Sequence, residues 1–192
     1  MTSNDLFMCG AGFLVAVGGA TYIEWAAHWL MHNTSWFFAE VHEGHHKGGG
    51  RGQGVLGEAW DYFLPTLPLG LLGFIVSIPF GVGTTLGTSL FAFVAGYSHQ
   101  LQHERPELCF WLRRPIHYIH HLHDQRSANF GILLDVWDRI LGTYDAMGWE
   151  PDPQLDRSRF GLRDYLSIGW RRGGGIIEPA TVATDNAAGV RE

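Results

Sequence analysis

Apolar positions in this chain gather into two long uncharged runs. Residues 6–23 (LFMCGAGFLVAVGGATYI) carry no charged side chain, and residues 62–103 hold no Lys, Arg, Asp or Glu over 42 positions. A membrane-spanning helix needs about 20 apolar residues. The first run therefore predicts one span. The second predicts two, joined near Pro79-Phe80-Gly81-Val82-Gly83. Gly70, Gly73, Gly83, Gly87, Ala92, Ala95 and Gly96 are small enough for close helix packing in lipid. Pro65 and Pro68 bend the second span near its start or mark its first turn. Beyond Tyr144 the composition turns polar: residues 149–156 read as loop, 162–170 as a short amphipathic piece, and the tail from Gly173 as disordered. The pattern predicts an all-α fold, an integral membrane helical bundle of about three spanning helices with a cytoplasmic histidine-rich helical cap. It places a membrane domain at 1–147 and a polar, partly disordered tail at 148–192.

Charge orients this bundle. All thirteen Lys and Arg residues lie at Lys47, at Arg51 or from Arg105 onward. The positive-inside rule then puts segment 40–60 and everything after residue 104 in the cytoplasm, with the N-terminus and the 80–83 turn outside. The first run has no basic flank of the kind that precedes a signal peptide's apolar core. A net charge of −6 without a basic stripe argues against a nucleic-acid partner. Cys9 and Cys109 lack metal-motif spacing and fall on opposite sides in this topology, so no disulfide is expected between them.

The eleven histidines form four tight groups: His28 and His32; His42, His45 and His46; His99 and His103; His117, His120 and His121, with His123 trailing. Neutral imidazole is a common ligand for borderline metals such as iron and zinc. Helical residues three or four apart share a face. His28 and His32 can therefore reach one ion together, as can His99 and His103, and in each triple the first histidine shares a face with both others. The adjacent pairs diverge by about 100° around the helix axis. Side chains splayed in that way suit two neighbouring ions, so the spacing predicts a two-metal centre spanned by the triples. His123 points away from it.

Ligating imidazoles usually donate their outer N–H to a carboxylate or carbonyl. Glu24, one turn before His28, is a candidate for that role, as are Asp124, Asp135 and Asp138 after the last group. Asp138 reads equally well as a cap, and Asn129 reads best as a turn residue. No nicotinamide or flavin motif is present, so electrons for a redox reaction are expected from outside.

The boxes HWLMH, HEGHH, HQLQH and HYIHH, followed by NFGILLDVWDRILGTY, resemble the fatty acid hydroxylase/sterol desaturase superfamily of membrane di-iron oxygenases. The likeness runs from about Glu24 to Tyr144. The stretch AHWLMHNTSWFFAEVHEGHH also resembles small bacterial carotene ring hydroxylases. The resemblance implies His28, His32, His42, His45, His46, His99, His103, His117, His120 and His121 as ligands of two iron ions, with zinc a possible substitute. It implies O2-dependent hydroxylation or desaturation of an unactivated C–H bond in a membrane lipid such as a fatty acyl chain. The external electron donor would be a ferredoxin or b-type cytochrome with its NAD(P)H reductase. A carotenoid ring hydroxylase is the alternative within this class. A di-zinc hydrolase or a non-enzymatic metal-binding protein is the alternative outside it.

Overall fold

The first uncharged run folds as a single helix, α1 (Ser3–Asn33), in a computed structural model that describes residues 1–35, 37–47, 53–145, 147, 149 and 157–169. Thr2 starts α1 with a capping box, its hydroxyl accepting from the Asp5 N–H while the Asp5 carboxylate takes the Thr2 N–H. At 31 residues α1 is about 46 Å long, well beyond the roughly 30 Å hydrocarbon core. A short helix, α2 (Phe37–Lys47), follows. The second run makes α3 (Val55–Val76) and α4 (Ile78–Glu104). Then come a turn at Pro106–Leu108, α5 (Ile116–Leu122), α6 (Val136–Leu141) and α7 (Leu162–Leu166). The described residues contain no strand.

Two boundaries differ from the sequence expectation. The joint between the long spans is Ser77, not the 79–83 stretch. Ser77 caps α4 through its hydroxyl, and Pro79 fits the first turn, where its missing N–H costs nothing. Pro65 and Pro68 lie inside α3, because that helix begins at Val55, seven residues before the uncharged run. Glu58 and Asp61 are thereby drawn into the helix.

α1, α3 and α4 are each long and apolar enough to cross a membrane. Leu14, Val15, Leu71, Leu72, Phe74 and Ile75 sit exposed on their outer faces, as lipid-facing side chains should. α1 and α4 run parallel, Cys9 opposite Gly83 and Phe13 opposite Gly87. A Cβ at Gly83 would overlap the Cys9 carbonyl, so hydrogen is the only side chain that fits. α3 runs back along α4 with Gly70 and Gly73 against Thr88 and Thr84, and Thr84 Oγ1 donates to the Gly70 carbonyl at 2.7 Å. The C-terminal ends of α1 and α4 and the N-terminal end of α3 therefore meet at one end of the bundle.

Beyond residue 147, the described stretch 157–169 packs on that same end. Val55 N–H bonds the Gly169 carbonyl, and Ile168 joins a core with Leu101, Leu108, Leu112 and Ile116. Apart from Trp149, whose ring meets that of Tyr118, the rest of the expected tail, and most of the 48–54 glycine loop, lie outside the described residues.

Candidate metal centre

Two groups of five histidines form at the shared end of the helices. One, group A, comprises His28, His32, His42, His46 and His120; the other, group B, comprises His45, His99, His103, His117 and His121. The adjacent pairs do split, one member to each group. The triples are more selective than their spacing alone indicates. His42 joins His46, four residues on, and His117 joins His121. The middle histidines, His45 and His120, cross to the opposite group. Each half of the chain thus provides four members of one group and one of the other.

In group A four Nε2 atoms close a ring. His32 lies 2.9 Å from His42 and 3.0 Å from His120, and His46 lies 3.1 Å from each of the same two. A metal–nitrogen bond of about 2.1 Å places ligands at right angles about 3.0 Å apart. His28 Nε2, buried and without a hydrogen-bond partner among the described residues, is the fifth atom. In group B His103 Nε2 is central, 3.1 Å from His117, 3.2 Å from His99 and 3.3 Å from His45. His121 Nε2 is likewise buried and unpartnered. The groups abut where the His46 and His121 rings stack with centroids 4.1 Å apart.

The outer nitrogens explain why these rings face inward. His28 Nδ1 lies 2.7 Å from the Phe130 carbonyl and His120 Nδ1 lies 2.8 Å from that of Ala128. A carbonyl only accepts, so both Nδ1 atoms carry the proton and both Nε2 atoms are lone pairs. Asp124 sits 3.5 Å from His46 Nδ1 and favours the same tautomer there. The 3.1 Å contact between His46 Nε2 and His120 Nε2 then sets lone pair against lone pair. In that tautomer a hydrogen bond does not account for the contact, whereas a cation shared by the two lone pairs would. Burial also holds His117, His120 and His121 well below the ordinary imidazole value and brings His46 down to about 4. All four are neutral near pH 7, the state in which imidazole ligates. The residues fit two metal ions.

The strap 128–133 carries both of those carbonyls, and the acidic candidates serve it. Asp138, fully buried, accepts from the N–H groups of Phe130 and Gly131 and from Trp25 and Thr143. Glu24 accepts from the N–H groups of Ile132 and Leu133. Its place one turn before His28 aims it at the strap and not at an imidazole. Asn129, at φ +60, clamps Asp145 with both ends of its amide and is a turn residue. Asp135 pairs with Arg139 at 2.7 Å, so among these acidic and amide candidates Asp124 alone reaches a histidine nitrogen directly. From the α4 side, Ser98 and Gln102 donate to the Ile132 carbonyl, and Gln102 also accepts from His117 N–H at the head of α5. The NFG and WD elements of the sequence are thus parts of one scaffold beneath group A.

Sequence reasoning passed over Glu58. Its carboxylate lies 2.8 Å from His99 Nδ1, and both groups are buried. The available signal was an acidic residue just before a 42-residue uncharged run. His123 caps α5 and is exposed, outside both groups. The basic residues near this end are largely committed: Arg105 pairs with Glu107, and Arg126 pairs with Glu43 and Asp124.

A family model for fatty acid hydroxylases matches residues 13–143. The chain belongs to the fatty acid hydroxylase family. The matched span takes in every histidine of both groups, the Asp138 scaffold, α1 from Phe13 onward, and all of α3 and α4. Comparison with curated proteins and with solved structures gives no match. Family membership and the three apolar helices make this a membrane protein of the hydroxylase and desaturase kind.

Proposed function

We propose that this hydroxylase is a di-iron membrane oxygenase that hydroxylates an unactivated C–H bond of a lipid such as a fatty acyl chain. One observation carries the reading: ten histidine nitrogens in two five-membered groups at ligand spacing, gathered at one end of three helices long and apolar enough to cross a membrane. A catalytic zinc site keeps about three protein ligands, so five imidazoles in each group favour iron over a di-zinc hydrolase. Iron held there would supply the reductive activation of dioxygen that attack on such a bond demands. The reaction balances as RH + O2 + 2 e⁻ + 2 H⁺ → ROH + H2O. Electrons would come from a separate ferredoxin or b-type cytochrome with its NAD(P)H reductase. Arg113, exposed at the cytoplasmic end, would contribute to that partner's docking.

The chain's own part is positioning. α1 and α4 carry His28, His32, His99 and His103 to the bundle end. The strap fixes the tautomers of His28 and His120. The buried rings of His103, His117 and His120 keep water from the inner faces of both groups. The lipid chain would lie along the apolar spans and present its reactive carbon at that end.

The test is reconstitution. Protein purified anaerobically with iron, in lipid vesicles with ferredoxin, its reductase and NADPH, should incorporate one atom of labelled O2 into an acyl lipid. Without the carrier protein the product should be absent. Two bound irons with no oxygen incorporation into fatty acyl or carotenoid lipids would overturn the reading.

A further inference from the structure

Group A has its fixed outer nitrogens on neutral backbone carbonyls, with one exposed carboxylate, Asp124, shared with Arg126. Group B is supported differently. Glu58 Oε2 approaches His99 Nδ1 at 2.8 Å, off the line of the ring N–H. Its other oxygen accepts from Gln53 N–H at 2.9 Å. Glu58 is 5% exposed, and His99 is its only ionic partner among the described residues. A buried carboxylate without a full counter-charge is costly. A divalent ion behind His99 provides that counter-charge through the ring. We propose that Glu58 is a positioning residue that gives group B a buried negative charge and fixes His99 with Nε2 free. The two metal sites are therefore unequal, and group B holds its ion the more tightly.

This rests on the metal reading above, not on the lipid substrate, and binding alone tests it. The informative variant is Glu58→Gln, which keeps the shape of the side chain and one carbonyl acceptor, for Gln53 N–H or for His99, and removes the charge. Zinc is the probe, titrated at equilibrium against a competing chelator. His42→Ala leaves group B as the complete site, and His117→Ala leaves group A. In the His42→Ala background Glu58→Gln should weaken zinc binding about 10- to 100-fold, the usual effect of losing a ligand's hydrogen-bonding partner. In the His117→Ala background it should change nothing. Asp124→Asn, exposed and screened, should cost group A under about 5-fold. Equal weakening in both backgrounds would mark Glu58 as merely structural and overturn the proposal, as would no weakening in either. A wild-type chain that takes up no zinc or iron would overturn the metal reading itself, and this proposal with it.

Discussion

Asp138 shows how far from the metal a side chain can act. Its two oxygens receive four donors, from Phe130, Gly131, Trp25 and Thr143. Those bonds hold the strap whose carbonyls orient His28 and His120. Gly131 is forced by the same contact, since a Cβ there would overlap the Leu134 carbonyl and crowd Asp138. Asp138→Ala strands several buried donors and should cost on the order of 3 kcal/mol. Denaturation in detergent should show that loss in the metal-free protein, and metal content in group A should fall with it. Unchanged stability would mean that the strap holds itself. The pairing of histidines four apart was open to reading from spacing; the crossing of His45 and His120 was not. A helix wheel gives directions around one axis, whereas the crossing depends on where α2 and α5 lie relative to each other.

Among the elements, the three spans were legible because uncharged runs of such length have few other uses in a chain. Their joint at Ser77 was less so, since Pro79 and the glycines imitate a turn, while a single serine cap suffices. Glu58 escaped because α3 starts in polar sequence, and apolarity alone marks only where a helix enters lipid. The contact between α1 and α4 supports the site at a distance: Gly12, Ala16, Gly83 and Gly87 bring two backbones together without side chains between them. Gly83→Val would drive a branched side chain into the Cys9 carbonyl. Overpacking of this kind costs about 1–3 kcal/mol or more. The expected outcome is a lower detergent melting temperature and loss of metal from both groups, because α1 and α4 each carry a histidine pair. A variant that melts as wild type would show that the helices can part without harm.

At the scale of the whole molecule, the neutral histidine cluster makes the protein sensitive to acid. His46 is held near 4 in the folded protein against 6.5 ordinarily, and His117, His120 and His121 are lowered too. Below pH 6.5 the unfolded chain binds protons that the folded chain refuses, so folding weakens as pH drops from 6.5 toward 4. The metal-free protein should melt at a lower temperature at pH 5 than at pH 7.5; equal values would contradict the burial of these rings. Orientation is separately testable. The charge map predicts that a C-terminal reporter reads cytoplasmic and an N-terminal tag reads external; a cytoplasmic N-terminal tag would require a redrawn first or second hydrophobic run. The crossed middle histidines also bear on the order of synthesis. Residues 28–46 hold four of the five group A donors, so a half-made chain can already capture an ion. Completion waits for His120, 74 residues after His46. At about 5–20 residues per second that is an interval of roughly 4–15 s. During that interval an early ion would sit in an open, four-donor pocket, free to be exchanged for whichever metal the cell offers, until the second half of the chain arrives and closes it.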